Sequence, residues 1–322
     1  MNLRKLLIPL LVIIFFSACG LKDNNVPVIG FADAFEDETI SQAKAGFYDA
    51  LEKEGFSEKN HTLKIIYRNA QGDIPTLTQI INYFISEKVN LIASNTTLAT
   101  ITALQRTKDI PVFMMVSPVP GNMKVLDEKG DAPANLFGVA EDLAYIDTSF
   151  TLIQKLLKAE NRKLRVGMIY NQAEPQSVDA LNRIKSLASK NNIAIEALPL
   201  NSSADAQLVT QSLLDRRIDA FFANPDNTIF ASFETIIKNC NQRNVPVFTS
   251  EAGLVKRGAV AAFGADIYQW GYQSGRQAAK YLRSGKTDSL KWEMVKIRKR
   301  VYNPSSAEKY KISVPANFTA LK

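Results

Sequence analysis

Polar side chains able to bind a small charged ligand follow an early strand-like run of this 322-residue chain. Asn95, Thr96 and Thr97 stand where the apolar run at 91–95 ends and a helical pattern begins. Their side chains and the free backbone N–H groups of a first helical turn form a site suited to a carboxylate. The same residues are able to cap the helix without any ligand, and the sequence leaves both interpretations open.

Carboxylates and amides stand at the corresponding places later in the chain. Asp226 and Asn227 follow the apolar run at 220–224, where Asp226 could pair with an ammonium group or cap the helix that begins at Thr228. Both interpretations are again open. Further binding candidates are Asn171, Glu174 and Ser177 in a strand-to-helix loop, Glu251 after a predicted strand, and Asp266 before the last long helix. So many carboxylates suit a cationic group better than a phosphate.

Aromatic side chains also fall near predicted strand ends, among them Phe35 and Tyr170, with Phe31 and Phe263. A flat ligand could stack on such rings, and each pair would add about 0.5–1.5 kcal/mol beyond burial. Core packing is the alternative, and it is the common fate of an aromatic residue in a strand. Of these four aromatic residues, we predict Phe35 and Tyr170 to contact the ligand.

The composition and the missing motifs exclude several classes of protein. The chain has one histidine and two cysteines, too few for a zinc site of the Cys/His type. It has no Gly-rich nucleotide loop and no Gly-x-Ser-x-Gly motif, so neither a cofactor nor a catalytic residue is expected. A net charge of +7 does not predict nucleic-acid binding. The basic run KIRKR at 296–300 is interpreted as a solvated sheet edge, with a membrane or permease contact as the alternative.

The candidate residues need strand ends to position them, and the apolar pattern supplies these. Short β-rich runs alternate with longer amphipathic runs, which is typical of parallel α/β sheets. Strands are predicted at 26–32, 63–67, 90–95, 112–117, 165–171, 193–198, 220–224 and 247–250. Helices are predicted between them, among others at 41–54, 97–106, 204–216 and 228–241.

The pattern occurs twice along the chain. LIASN at 91–95 and IPVF at 110–113 are matched by AFFAN at 220–224 and VPVF at 245–248, about 130 residues later. This repeat predicts two doubly wound parallel-sheet lobes. Ligands bind outside the carboxyl ends of such strands, so two lobes that face each other would share one interlobe cleft and close about a hinge.

The first residues read as an export signal with a lipid anchor. Arg4 and Lys5 precede an apolar run at 6–16 that is too short to span a bilayer. Phe16, Ser17 and Ala18 before Cys19 resemble a bacterial lipobox, which predicts a signal peptide at 1–18, lipidation of Cys19 and a polar tether over 19–25. A plain signal peptide with an incidental cysteine is the alternative. Cys240 is then left unpaired and is expected to be buried.

Longer stretches resemble the type I periplasmic substrate-binding proteins of ABC transporters, within which the tryptophan and aromatic amino-acid binding lipoproteins are closest. The matching stretches are GFYDAL at 46–51, NAQGD at 69–73, KDIPVF at 108–113, YNQAEPQS at 170–177, PDNT at 225–228, SE at 250–251 and VKRGA at 255–259. Two departures are DAFE at 33–36, where members often have a His-Pro pair, and SPV at 117–119, where many have Asp-Pro-Val. Both segments are expected to line the cleft, which adds Ser117 to the binding candidates.

The resemblance implies a monomeric, non-enzymatic receptor, anchored to the cell envelope and facing the periplasm or the exterior. Its partners would be an ABC permease with its ATPase, and its ligand an amino acid, with an aromatic one favoured. A nucleoside or sugar ligand, or a sensor role beside a membrane signalling protein, are the alternatives. One lobe is expected to comprise residues 26–138 with about 255–285, and the other residues 139–254 with about 286–322.

Overall fold

Strands and helices alternate along the chain in the predicted order. The computed structural model describes residues 26–159 and 161–321, so the predicted signal peptide, Cys19 and the tether lie outside the described residues. Early elements begin and end within a few residues of their predicted positions: the first strand is Val28–Asp33 and the first helix is Glu38–Lys53. Apolar periodicity therefore located these elements correctly.

The first lobe is built on a six-stranded, wholly parallel sheet within the described residues. Its strands lie in the order β11-β5-β4-β3-β1-β2. They are β1 (Val28–Asp33), β2 (Lys64–Asn69), β3 (Leu91–Asn95), β4 (Val112–Pro118), β5 (Leu136–Glu141) and β11 (Glu293–Met294). Strands β3, β4 and β5 are buried along their whole length, as expected for central strands covered by helices on both faces.

The second lobe contains two smaller sheets. The parallel sheet has the order β7-β6-β8-β9, and the other has the order β10-β12-β13, in which β10 and β12 are antiparallel. The strands are β6 (Leu164–Tyr170), β7 (Ile193–Pro199), β8 (Ala220–Ala223), β9 (Val247–Thr249), β10 (Ala261–Ala265), β12 (Arg298–Tyr302) and β13 (Thr319–Ala320).

The helices pack on these sheets. Those up to β7 are α1 (Glu38–Lys53), α2 (Ile74–Ser86), α3 (Thr97–Arg106), α4 (Ala144–Leu156) and α5 (Pro175–Lys190). The later ones are α6 (Ala206–Leu214), α7 (Asn227–Ala231), α8 (Phe233–Gln242), α9 (Ala252–Lys256), α10 (Ile267–Ser284) and α11 (Pro304–Lys309). Gly271 allows α10 to pack tightly on α1, since a Cβ at this position would overlap the carbonyl oxygen of Ala43. Cys240 is buried in the second lobe, as predicted, and burial raises the pKa of its thiol to about 12.

The chain passes between the lobes three times: from β5 to α4, from β10 to α10 and from β11 to β12. The sheet pairings differ from the expected division in detail. Residues 261–265 were expected in the first lobe, whereas β10 pairs with β12 in the second. Residues 293–294 were expected in the second lobe, whereas β11 pairs with β5 in the first. The local apolar pattern does not show which distant strand a segment pairs with. The predicted positions of the last two crossings therefore differ from the observed ones.

Candidate functional site

An inner cavity lies between the lobes at the carboxyl ends of the strands. The first lobe contributes Val116 from β4 and Ile267 and Trp270 from α10, while the second contributes the other walls. The ten lining residues, which define the inner cavity, are Val116, Tyr145, Gln176, Pro225, Asp226, Asn227, Phe230, Glu251, Ile267 and Trp270. The inner cavity has a volume of about 10 Å³, which is room for about one water molecule. The cleft is therefore closed on its hinge side.

Glu251 is the carboxyl group of the inner cavity that keeps an oxygen free. The residue follows β9 and is 1% exposed. Its Oε1 accepts hydrogen bonds from the Tyr145 hydroxyl at 2.9 Å and from Ser250 Oγ at 3.3 Å. Its Oε2 is buried and has no hydrogen-bond partner among the described residues. Burial raises the pKa of Glu251 to about 8, against the lowering effect of these two donors. A cationic group in the cavity would both pair with Oε2 and favour the ionised carboxylate.

Apolar side chains cover the wall opposite. Trp270 is 1% exposed, and its indole Nε1 donates to the carbonyl oxygen of Val139 at 2.8 Å, which holds the ring at the end of the first sheet. Val116 sits at an irregularity in the pairing of β4 with β5 and has a φ of 51°. A positive φ is rare for a β-branched residue, and such strain persists where the surrounding structure enforces it, often at ligand sites.

The start of α3 retains the features predicted for a carboxylate site. Thr96 has a φ of 85°, and its buried Oγ1 lacks a partner in the part of the chain that the structure describes, as does Oδ1 of Asn95. Thr96 also makes no side-chain cap, so the capping alternative for this residue is wrong. Thr97 spans the cleft instead, because its Oγ1 donates to Gln176 Oε1 of the second lobe at 2.9 Å.

Asp226 caps a helix, and its oxygens are already occupied. Oδ1 accepts from the backbone N–H groups of Thr228 and Ile229 at the start of α7. Oδ2 accepts from the Asn171 backbone N–H at 2.7 Å and from the Ser177 hydroxyl. Of the two alternatives left open by the sequence, helix capping is therefore the one observed.

Glu174 lies beside Asp226 and is also buried. Its Oε2 accepts from the backbone and side-chain nitrogens of Asn227, at 3.2 and 2.7 Å. Burial, and then the charge of Asp226, raise the pKa of Glu174 to about 8; burial raises the pKa of Asp226 as well. Glu174, Ser177, Asn171 and Asp226 thus form one hydrogen-bonded cluster behind the cavity wall.

Removal of the Asp226 carboxylate is expected to destabilise the second lobe. Asp226→Ala removes the acceptor of four buried donors, of which the Asn171 N–H keeps Ser177 Oγ as a second acceptor. We expect a loss of about 3 kcal/mol in the free energy of unfolding. Asp226→Asn keeps an acceptor for the helix cap and should lose less than half as much. Urea unfolding of both variants measures the difference, and equal stability of Asp226→Ala and wild type would contradict the capping role.

Three other predicted residues lie away from the inner cavity. Asp266 caps α10 through Gln269 N, and its Oδ2 lies 2.6 Å from Lys299 Nζ in an ion pair on a separate surface groove. Tyr170 packs against the main core cluster, which is the alternative given for the aromatic residues. Ser117 exchanges a hydrogen bond with Thr100 at 3.0 Å, inside the first lobe.

A mouth groove opens on the other side of the cleft, away from the hinge. It holds about 540 Å³ and is lined from both lobes, by Phe35 and Leu98 of the first and by Asn171 and Thr228 of the second, among others. Five of the predicted residues line one of these two spaces, whereas Asn95, Thr96 and Thr97 are among those that line neither. Asp226, Asn227 and Glu251 line the inner cavity, whereas Phe35 and Asn171 line the mouth groove.

Direct contacts hold the lobes together. Arg257, at the end of α9, donates from Nη1 to Asp37 Oδ2 at 2.6 Å and to Thr39 Oγ1 at 2.9 Å, both at the start of α1 in the first lobe. Its Nη2 donates to the carbonyl oxygen of Phe230, a wall residue of the inner cavity. A Cβ at Gly253 would overlap the Thr39 methyl group, so the two helices meet at van der Waals distance.

The raised pKa of Glu251 makes the closed form sensitive to pH. Burial is the largest cause of the shift from 4.5 to about 8, with the Glu141 charge acting in the same direction. Opening the cleft hydrates the carboxyl, so the closed form without ligand binds a proton more tightly than the open form does. The stabilisation of the closed form by this proton is complete below about pH 4.5 and is lost as the pH rises to about 8. Over this range the equilibrium constant for closure falls by up to about tenfold per pH unit.

We therefore expect the closed fraction of ligand-free protein to fall between pH 5 and pH 8. Small-angle X-ray scattering over this range measures the change in lobe separation. Glu251→Gln, which does not titrate, should flatten the profile, and an unchanged profile in this variant would assign the effect to another group.

A two-lobed α/β chain that closes on an interlobe cavity with a free carboxyl oxygen is built to bind a small molecule. The family model for ABC transporter substrate binding proteins matches residues 28–321. A tyrosine-binding protein of Clostridioides difficile is 32% identical over 257 residues, covering 79% of this chain and 72% of the relative. The chain belongs to the ABC transporter substrate-binding protein family, which serves transport outside the cytoplasm with a small-molecule ligand and a permease as partners. It is a family of binding proteins rather than enzymes.

Two solved structures are similar to this chain over almost its whole length. One is a Streptococcus pneumonia domain in complex with L-Trp, with a TM-score of 0.81, 22% identity and coverage of 91% of this chain and 99% of that one. The other is the ligand-free, open structure of a Clostridium difficile substrate-binding protein with adhesive properties, with a TM-score of 0.65, 26% identity and coverage of 92% and 99%. The open structure has the lower TM-score of the two despite its higher identity. Among residues 26–159 and 161–321, no helix is both long and apolar enough to cross a membrane.

Seven wall residues of the inner cavity were not predicted from the sequence: Val116, Tyr145, Gln176, Pro225, Phe230, Ile267 and Trp270. Gln176 could have been predicted from the sequence, because it lies between the predicted residues Glu174 and Ser177 in the segment 170–177. Trp270 and Tyr145 stand in amphipathic helical patterns, where a core position and a cavity wall look the same. That both residues line the cavity follows only from the tertiary structure, in which α4 of the second lobe and α10 of the first contribute to the same walls.

Proposed function

We propose that this protein is the receptor of an ABC importer for an aromatic amino acid. The observation that carries the proposal is the inner cavity itself, where the unpaired Oε2 of buried Glu251 lies in the same enclosure as Trp270, Val116 and Phe230. A free carboxyl oxygen beside an apolar wall suits a ligand that has both an ammonium group and a flat apolar side chain. The tyrosine-binding relative and the neighbour in complex with L-Trp support the same class.

The ligand ammonium would pair with Glu251, not with Asp226, whose oxygens already accept four hydrogen bonds. The ligand carboxylate would bind at the start of α3, where Thr96 Oγ1 and Asn95 Oδ1 are buried without partners in the described chain. For the carboxylate, the useful groups are the Thr96 hydroxyl and the first N–H groups of the helix, since these are donors. The two charged ends of one ligand would then touch both lobes.

Ligand entry requires the lobes to separate. The inner cavity admits about one water in the closed form, whereas an aromatic amino acid has about fifteen heavy atoms. At about −0.5 kcal/mol per atom such a ligand reaches about −8 kcal/mol, which corresponds to about micromolar affinity. We infer that the three crossings serve as the hinge, and that the ligand favours closure by its higher affinity for the closed form.

A thermal-shift panel followed by calorimetry tests the proposal. A ligand present at 100 times its Kd adds about 2.7 kcal/mol of stability, which raises the melting temperature measurably. We expect shifts with tryptophan, tyrosine or phenylalanine, and none with ribose, galactose or a nucleoside. A shift with a sugar or nucleoside alone would replace the aromatic amino acid by that ligand class.

We further propose that Cys19 is the lipid anchor of a mature protein that begins at this residue. The support is the lipobox-like segment before it in the sequence, together with the extracytoplasmic role of the family. Two or more acyl chains give a stable membrane anchor, whereas one chain does not. Detergent-phase partition of the full chain expressed in a bacterium should place wild type in the detergent phase and Cys19→Ala in the aqueous phase. Equal partition of wild type and Cys19→Ala would contradict lipidation and favour the alternative, a plain signal peptide with an incidental cysteine.

A further inference from the structure

We infer that Tyr145 is a positioning residue that connects the ammonium site to the hinge, an inference that rests on the proposed function. Tyr145 is the second residue of α4, directly after the first crossing between the lobes, and it is 1% exposed. Its hydroxyl donates to Glu251 Oε1 at 2.9 Å. This hydrogen bond occupies one carboxyl oxygen and leaves the other, Oε2, for the cavity.

The ring of Tyr145 packs against the second crossing. Gly264 is in β10, two residues before its crossing to α10, and a Cβ there would overlap the Tyr145 ring. Gly264 thus leaves the space in which the ring lies on the strand. A change in the path of β10 would therefore move the tyrosine.

The third crossing reaches the same ring. Arg298 is the first residue of β12, and the central carbon of its guanidinium lies 5.9 Å from the centroid of the Tyr145 ring. The guanidinium also donates to both carboxylate oxygens of Glu141, the last residue of β5. Arg298 therefore ties the end of the first crossing strand to the start of the third, directly beside the tyrosine.

These contacts place one side chain against all three hinge segments and against the carboxyl group that faces the ligand. Tyr145, Glu251, Gly264 and Arg298 all lie in the second lobe, so the hydroxyl stays beside Glu251 when the lobes rotate. It engages Oε1 and leaves Oε2 without a partner in the described chain. Closure then brings Val116 and Trp270 of the first lobe onto this positioned carboxyl group, which completes the recognition of the ammonium group.

Tyr145→Phe is the test, because it removes the hydroxyl and keeps the ring on Gly264 and beside Arg298. The readout compares an aromatic amino acid with its analogue lacking the ammonium group: phenylalanine with 3-phenylpropionate, or tryptophan with indole-3-propionate. We expect the variant to bind the amino acid at least tenfold more weakly and the analogue with unchanged affinity. The preference for the ammonium group then falls by the same factor.

Tyr281→Phe is the matched control, because it removes a half-buried hydroxyl from α10, against the ring of Phe113. It should leave both affinities unchanged. An equal loss of affinity for amino acid and analogue in Tyr145→Phe would mean a merely structural role and overturn the inference, as would no loss at all. Wild-type protein that binds none of the aromatic amino acids would instead overturn the proposed function, and the inference with it.

A second measurement follows the hinge directly. Spin labels on cysteines introduced at Ile74 and Ser203, exposed residues on opposite sides of the mouth groove, report the lobe separation. We expect saturating amino acid to close wild type completely and Tyr145→Phe incompletely. Full closure of the variant at saturation, together with unchanged selectivity, would show that Glu251 is positioned without the tyrosine.

Discussion

Glu251→Gln should bind aromatic amino acids about a hundredfold more weakly than wild type. The substitution keeps the volume of the side chain and its contact with Tyr145, but it removes the negative charge of the buried, unpartnered carboxyl group that lines the cavity. Truncating one partner of a buried, hydrogen-bonded charge pair costs about 2–5 kcal/mol, which includes the penalty for leaving the ligand ammonium buried without a counter-charge. Isothermal titration calorimetry with the best ligand of the panel measures the loss.

Glu196→Gln is the matched control, since Glu196 pairs with Arg165 and Arg216 on the surface of the second lobe. It should leave the affinity within about twofold of wild type. An unchanged affinity in Glu251→Gln would move the ammonium site elsewhere. Asp226→Asn would then be the next variant to titrate, because Asp226 also lines the inner cavity.

Arg257→Gln should weaken ligand binding to a similar extent without touching the ligand. The side chain of Arg257 is 9% exposed and that of its partner Asp37 is 2% exposed, so the ion pair is shielded from water only while the lobes are closed. Removing one member of a buried pair leaves the other charge uncompensated and costs about 3–5 kcal/mol. In the open form Asp37 is hydrated, so the cost of leaving its charge unpaired falls on the closed form. The pair of Arg257 with Glu234 lies within the second lobe, so its loss is common to both forms.

The loss is expected mainly in a faster dissociation rate, because the closed lobes retain the ligand. Stopped-flow fluorescence, with the cavity residue Trp270 contributing to the signal, separates dissociation from association. Arg243→Gln removes an exposed pair with Asp215 and serves as control, since exposed pairs contribute at most about 1 kcal/mol. A dissociation rate equal to that of wild type would show that the Arg257 contact does not stabilise the closed form.

Sequence reasoning located the cleft because strand ends are readable from apolar periodicity. Parallel strands expose their carboxyl ends at one edge of a sheet, so the sequence predicts Asn95, Asp226 and Glu251 on facing edges of the two lobes. Asp266 was predicted from its position before the last long helix and is not at the inner cavity; it caps α10 and pairs with Lys299 of β12 on another surface. The strand that carries Lys299 is adjacent only through its antiparallel pairing with β10.

The order of strands and helices, the sheet edge at which the inner cavity lies and the burial of Cys240 were determined by the sequence alone, because each depends on local apolar pattern or on a motif. Only the tertiary structure decided which carboxyl group stays available. Asp226 is saturated by donors from Asn171 and Ser177, 55 and 49 residues away. Glu251 keeps one oxygen free beside a tyrosine 106 residues away. The availability of a buried oxygen depends on the number of donors that the folded chain brings to it, and donors from distant segments leave no trace in local spacing.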